Sequence, residues 1–270
     1  MSNQQRPVPI SQEQYTEEYF LTACEGYEDF LASEGEQLSR RLKAAFELAA
    51  VQPGMRVLDV ACGRGEIVVH CAQLGAHAVG FDYAHAALKL ARELFDRNKA
   101  NVQGEMGLVE AEAKRYPFPD GTFDRVLMFD IVEHLHPWEL HNSLVEARRV
   151  LKDDGRLIIH TAPNVWYDHY AYPVVRFFRR LTGNGTGYPA DPRQFLVAHN
   201  QDVHVNEQSM WSMHRTLRKA GFKGHVWLAS PPQRRHENPV LAGLRYALFH
   251  WPPFRWFFER EVFAVAEKSD

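Results

Sequence analysis

The 270-residue sequence predicts an α/β fold built on a doubly wound, mostly parallel sheet. Two observations carry that expectation. The stretch from Met55 to Asp82, MRVLDVACGRGEIVVHCAQLGAHAVGFD, reads as a strand, a glycine turn, a helix and a second strand. Beyond it, β-rich apolar runs keep alternating with segments of helical period. A parallel strand covered on both faces is a near-continuous apolar run, and residues 56–61 (RVLDVA) form one.

The elements follow in order. Met1 to about Gln12 is polar and proline-bearing, which predicts a disordered tail. Tyr15 to Leu31 carries aromatics and acids at roughly helical spacing, and Leu38 to Ala50 reads as an amphipathic helix running into Pro53-Gly54. After the first strand, Cys62, Gly63, Arg64 and Gly65 turn into a helix over Glu66 to Leu74, stopped by Gly75. The second strand, AVGFD, ends at Asp82; a helix from His85 to Asn98 and a strand near Gly107 to Ala111 come next. Pro117, Pro119, Asp120 and Gly121 make a loop before the fourth strand, FDRVLMFD. A helix from Trp138 to Leu151 leads through Asp154-Gly155 into the fifth strand, GRLIIHTAP. Ser209 caps the helix MWSMHRTLRKA, and FKGHVWLAS and EVFAVAEK supply the last two strands.

The turn also carries chemistry. Small residues at Ala61, Gly63 and Gly65 let a ligand approach the backbone, and the N–H groups of the new helix face it. Asp82 is placed to accept both hydroxyls of a ribose. A dinucleotide fingerprint would have three glycines serving a pyrophosphate, whereas Asp59 at this strand end would repel one and suits a cationic ligand.

These residues resemble the first motif and second-strand acid of the class I S-adenosylmethionine-dependent methyltransferases, in the group reading VLDxxCGxG. A second segment, EAEAKRYPFPDGTFD from Glu110, resembles the same family's D-A-x-x-L-P-F-x-D-x-x-F-D, with Glu112 in place of the usual aspartate and Tyr116 in place of leucine. The resemblance covers roughly Leu38 to Ala229 and the final strand. It implies seven strands with the last antiparallel, S-adenosyl-L-methionine as cofactor, and in-line attack by an acceptor on the sulfonium methyl. Carried over residue by residue, it puts Asp59 and the Gly63 and Gly65 backbone at the amino-acid end of the cofactor, Asp82 at the ribose, and Glu112 and Ala113 at the adenine, with Ala61, Cys62, Tyr83 and Phe129 also among the cofactor-binding candidates. Tyr19 belongs to an N-terminal cap that either folds over the cofactor or simply packs on the sheet.

Ligands of open α/β sheets bind outside the carboxyl ends of the strands, so Phe129 and Asp130 are candidate site residues. His134 is a candidate general base, alongside the plainer reading that Glu133 and His134 brace the next helix. With Asp130 it makes up the catalytic pair expected from the sequence. TAPN at 161–164 resembles the family's TxPN, which opens toward the acceptor.

Two stretches exceed ordinary connections: 165–206, rich in aromatics and histidines, and 231–260, aromatic and basic around Pro252-Pro253. The expected organisation is an N-terminal tail and cap helix (1–37) and a methyltransferase domain (38–270) carrying these two insertions on the acceptor side. His169, His199 and His204 match no metal-ligand spacing, so no metal is expected. An acceptor cap, a dimer surface and an interfacial anchor compete for the second insertion, but most such stripes simply pack on the fold, so membrane association is not the expectation.

A net charge of -3 and a pI near 6.5 leave no electrostatic footprint for nucleic acid. Three cysteines, Cys24, Cys62 and Cys71, suit a reducing compartment, and no leader or spanning run is evident, so a cytoplasmic protein is expected, monomeric or homodimeric. The expected reaction is O-methylation of a small molecule such as a sugar, a polyketide or another hydroxylated product. N- or C-methylation, a lipid-linked acceptor and a non-catalytic cofactor-binding module stay open beside it.

Overall fold

A computed structural model describes residues 6–24, 26–181, 183, 187–195, 198–230 and 239–269. In chain order it contains α1 (Glu17–Thr22), α2 (Tyr27–Ser33), α3 (Arg40–Ala49), β1 (Arg56–Val60), α4 (Glu66–Gln73), β2 (His77–Asp82), α5 (His85–Asn98), β3 (Glu105–Glu110) and β4 (Phe123–Phe129). There follow α6 (Pro137–Val150), β5 (Leu151–Thr161), α7 (Tyr172–Leu181), α8 (Ala198–Val203), α9 (Met210–Lys219), β6 (Phe222–Ala229), α10 (Pro239–His250), α11 (Arg255–Phe258) and β7 (Glu261–Lys268).

The seven strands form one sheet in the order β3-β2-β1-β4-β5-β7-β6. All pairs are parallel except those of β7, which lies antiparallel between β5 and β6. Chain order reverses between β1 and β4, so a cleft opens at their carboxyl ends, where this architecture binds ligands. Along β1, β4 and β5 successive side chains enter opposite cores. Leu58, Val60, Val126, Met128, Leu157 and Ile159 pack with α6 and α9, whereas Val57, Leu127, Phe129 and Ile158 pack with α3, α4 and α5. That two-sided burial is why these strands lack polar alternation.

The single helix expected over Tyr15 to Leu31 is two, broken where Gly26 adopts φ 72° ahead of α2. The tail expected to be disordered is, from Arg6 onward, laid across the sheet's carboxyl edge. Its carbonyls are the reason: the Tyr83 hydroxyl donates to Ile10 at 3.1 Å, the His136 ring meets the Val8 carbonyl at 3.0 Å, and the Trp138 indole donates to Pro7 at 3.3 Å. Composition does not register bonds made to main chain.

Both insertions contain regular structure. A wide helical turn at Tyr167–Ala171 runs into α7, and α10 and α11 fill the stretch before β7. They pack together through Trp166 stacked on Phe257 at 5.4 Å and Tyr170 edge-on to it at 5.6 Å. Most of the glycine cluster near 183–187, residues 231–238 and the side chains of His199 and Arg245 lie outside the described residues. No helix among those described is long and apolar enough to cross a membrane.

Candidate active site

The carboxyl ends of β1, β2 and β4, the strap before α1 and the turn after β4 enclose a cavity of about 630 Å³. That is within the range of sites that enclose a cofactor-sized ligand. Asp59, Ala61, Cys62, Gly63, Asp82, Tyr83, Glu112, Ala113, Phe129 and Tyr19 all line it, as do Asp130 and His134. Two residues bend the backbone there into the left-handed region without being glycine, Ala61 at φ 56° and Asp130 at φ 51°. Such turns cost on the order of 1 kcal/mol each and concentrate at binding sites.

Gly65 is a correction to the sequence reading, because it does not line the cavity. It holds φ 83°, and a Cβ on it would stand 2.8 Å from Phe95 and 3.0 Å from Ala91. Its smallness lets α4 settle on α5.

The electrostatics of the cavity are one-sided. Asp59 is buried, and burial first, then Asp82 and Glu66, push its carboxyl well above the usual range. Asp82 is pushed up to about 6 by burial, against hydrogen bonds from the Ala84 N–H at 2.9 Å and the Gly63 N–H at 3.1 Å. Glu66 is neutralised by Arg64, whose Nε donates to it at 3.0 Å and Nη2 at 3.1 Å. Arg64 also donates to the Phe20 carbonyl at 2.6 Å and lies over the Phe30 ring at 4.9 Å. The sequence places it only in the turn, yet it ties the N-terminal helices to the motif. Glu112 is half-exposed and paired with Lys114 at 2.6 Å. Two buried acids with their ionised forms disfavoured are what a cationic ligand relieves, and S-adenosylmethionine carries an ammonium and a sulfonium.

Neither candidate catalytic group is poised as a free proton acceptor. Burial opposes ionisation of Asp130, but Arg41 at 3.9 Å and then His160 overcome it and hold the carboxyl well below its usual range. His160 Nδ1 is 2.8 Å from Asp130 Oδ1. For His160, too, burial opposes the charge; the Asp130 carboxylate outweighs it, with help from Glu261, and raises the ring to about 9. Asp130 is thus an ionised anchor for the turn, committed to an ion pair. His134 is pushed down to about 3 by burial and then by His204. Its Nδ1 is 3.1 Å from the Tyr15 hydroxyl, and the ring also bonds to the Val203 backbone. Glu133 matches the bracing reading: its carboxylate accepts from Thr161 Oγ1 at 2.7 Å, and its carbonyl accepts from the N–H groups of Val205 and Asn206.

Of the insertion histidines, His204 reaches this turn. Its ring packs edge-on to His134 at 4.8 Å, and Glu133, His134 and His204 offer three ligand atoms within 4.8 Å of one another. The bonds His134 makes to the Tyr15 hydroxyl and the Val203 backbone would have to break before it held an ion. His169 is exposed and sits beside Tyr170 at the start of α7.

With this geometry in view, the comparisons with known proteins are specific. Residues 58–159 match the family model described as a methyltransferase domain. The chain is 31% identical over 227 residues to the ubiquinone/menaquinone biosynthesis C-methyltransferase UbiE of Pseudomonas putida (strain GB-1), a match covering 80% of this chain and 84% of that one. The chain belongs to the class I S-adenosylmethionine-dependent methyltransferases. Its cofactor is S-adenosyl-L-methionine. A second relative, the protein of the same name from Rhizobium johnstonii, is 30% identical over 182 residues, covering 63% of this methyltransferase and 66% of the relative, just under two thirds of its length. Among solved structures, the putative methyltransferase in complex with the Haloferax volcanii Trm112 activator superposes with a TM-score of 0.61 at 13% identity, covering 97% of this chain and all of the other. Geranyl diphosphate methyltransferase in complex with its cofactor gives 0.57 at 19%, with 92% of each chain covered. At such identities these two likenesses concern the fold alone.

Proposed function

We propose that this methyltransferase acts on a small, hydroxylated, ring-bearing acceptor, and that a ring carbon activated by its hydroxyl receives the methyl. The observation that carries this reading is the state of His134: neutral, weakly basic and held on both sides by protein. An acceptor whose own hydroxyl ionises easily, and whose carbon proton leaves only after transfer, does not depend on such a group for activation. The two relatives are C-methyltransferases of ubiquinone and menaquinone biosynthesis by name, which supports the same reading.

S-adenosylmethionine, when bound, supplies a methyl group on a sulfonium that is already activated for in-line displacement. Asp59 holds the ammonium of the amino-acid end beside the turn at Gly63. Asp82 accepts the ribose hydroxyls, and Ala113 leaves room for the adenine. Phe129 and Asp130 end the strand nearest the transferred methyl, so the acceptor enters between them and the strap. Tyr15, Tyr19 and Phe20 shield the reacting centre from water, and most of the catalytic benefit comes from alignment.

O-methylation, the reaction expected from the sequence, stays as a second reading because the Tyr15 hydroxyl faces the cavity with His134 behind it. On this reading the proton of an acceptor oxygen would pass through Tyr15 to His134, against the burial that disfavours charge on that ring. Incubating the enzyme with methyl-13C-labelled cofactor and a panel of hydroquinones, catechols and sugars separates the two, since carbon NMR distinguishes C-methyl from O-methyl products. Products methylated only at oxygen would overturn the carbon reading.

A further inference from the structure

The helix α7 faces the wrong way for a soluble surface. Tyr170, Val174, Phe177, Phe178 and Leu181 recur at helical spacing and are between 46% and 68% exposed. On the opposite side Arg176 donates to the Tyr188 carbonyl at 3.2 Å and Arg179 lies over the Tyr188 ring at 5.5 Å. The apolar stripe is therefore outermost and two of three arginines are turned inward, while Arg180 stays exposed beside the stripe.

The stripe continues into the other insertion. Tyr170 touches Phe257 of α11, and Trp256 of α11 meets Trp211 of α9 edge-on at 6.5 Å. Around them Trp211, Tyr246, Trp251 and Phe254 are each about half exposed or more. Contiguous apolar patches this rich in large side chains are rare on soluble monomers and mark contact surfaces. Trp and Tyr at their margins are the side chains favoured at a membrane–water interface.

Charge decides between occupants. Residues 169–190 and 239–258 hold five arginines and not one aspartate, glutamate or lysine, in a chain whose net charge is -3. A two-fold dimer through this face would set the exposed Arg180 against a copy whose matching segments hold no carboxylate to meet it. An anionic lipid surface offers the complement: a phosphate for the exposed Arg180 and an acyl boundary for the stripe. We propose that α7 and the α10–α11 hairpin form a monotopic docking surface for an anionic bilayer, holding the protein at the membrane without spanning it. This concerns where the enzyme works, and it stands whether a carbon or an oxygen is methylated.

The test is co-sedimentation of the full chain with vesicles of phosphatidylcholine alone and of equal parts phosphatidylcholine and phosphatidylglycerol. Binding is expected to the second far more than to the first, weakened by salt but not abolished. The variant Phe177→Asp with Leu181→Asp should partition about tenfold less or worse. Neither residue touches the cofactor cavity, so S-adenosylhomocysteine affinity should stay at the wild-type value and certify the fold. Equal sedimentation of variant and wild type overturns the proposal, as does failure of the wild type to bind anionic vesicles. So does light scattering that shows a wild-type dimer, a variant monomer and vesicle binding by neither, because the face would then be a self-interface.

Discussion

The ion pair under the β4 turn sets a measurable pH dependence of stability. His160 is fully buried on β5, and its ring rises from an ordinary 6.5 to about 9 through Asp130 and Glu261. A group whose folded value is raised contributes stability that is complete below its unfolded value and lost as pH climbs through the folded one. At about 1.4 kcal/mol per pH unit, the interval from 6.5 to about 9 is worth ~3 kcal/mol. The perturbation is His160→Asn, which keeps a donor near Nδ1 and removes the charge. Urea unfolding of both proteins across about pH 6 to 9.5 gives the difference in stability, in which all other titrations cancel. The wild type should lose ~3 kcal/mol more than the variant over that window, and the variant's deficit should shrink as pH rises. A difference that does not change with pH would refute the charged pair and leave only a packing defect.

Four further outcomes follow from the site. Asp82→Ala should weaken S-adenosylmethionine binding by about 1–3 kcal/mol in calorimetry, and unchanged affinity would place the ribose elsewhere. In the wild type, affinity should fall as pH drops through about 6, because protonating Asp82 removes the acceptor the ribose uses; a pH-independent affinity around that value would contradict it. Arg64→Met strands Glu66 as a buried charge and frees the Phe20 carbonyl. It should cost about 3–5 kcal/mol in chemical denaturation, and a loss within 1 kcal/mol would show the pair to be dispensable. Tyr15→Phe keeps the ring and deletes the bond to His134: if the acceptor atom is carbon, turnover should change little, whereas a loss of about 100-fold or more would make that pair the proton path.

The cavity lining at the ends of β1 and β2 was legible because it lies in consecutive residues. Once Val57 to Val60 is a buried strand, Asp59, Ala61 and Gly63 are at its end, and Asp82 is at the end of its neighbour by the same reasoning. Helix α5 and strand β7 match the expected bounds residue for residue, each marked by a sharp change of period and composition. The rest depends on partners distant in sequence. The strap contacts run from aromatic donors to the carbonyls of Pro7, Val8 and Ile10, which any residue would supply. Arg64 gives no sign of burial on its own; Glu66 two residues later was the available signal. The Asp130–His160 pair could have been found from register, since parallel β4 and β5 put Phe129 opposite His160.

That register bears on what the turn after β4 can do. An acidic side chain at a strand end beside a methyl-transfer site invites assignment as a base, and a histidine four residues on invites it again. The structure assigns each a partner that spends its proton affinity: Asp130 on His160 and Arg41, His134 on Tyr15 and the Val203 backbone. Basicity is lost in opposite ways, one group held ionised by cations and the other held neutral by burial. What survives at the turn is rigidity and position, including the left-handed backbone at Asp130 that a free loop would abandon. On the proposed carbon-methylation reading, such a turn suits acceptors that arrive nearly ready to react, and specificity then falls to the shape of the strap and the insertions.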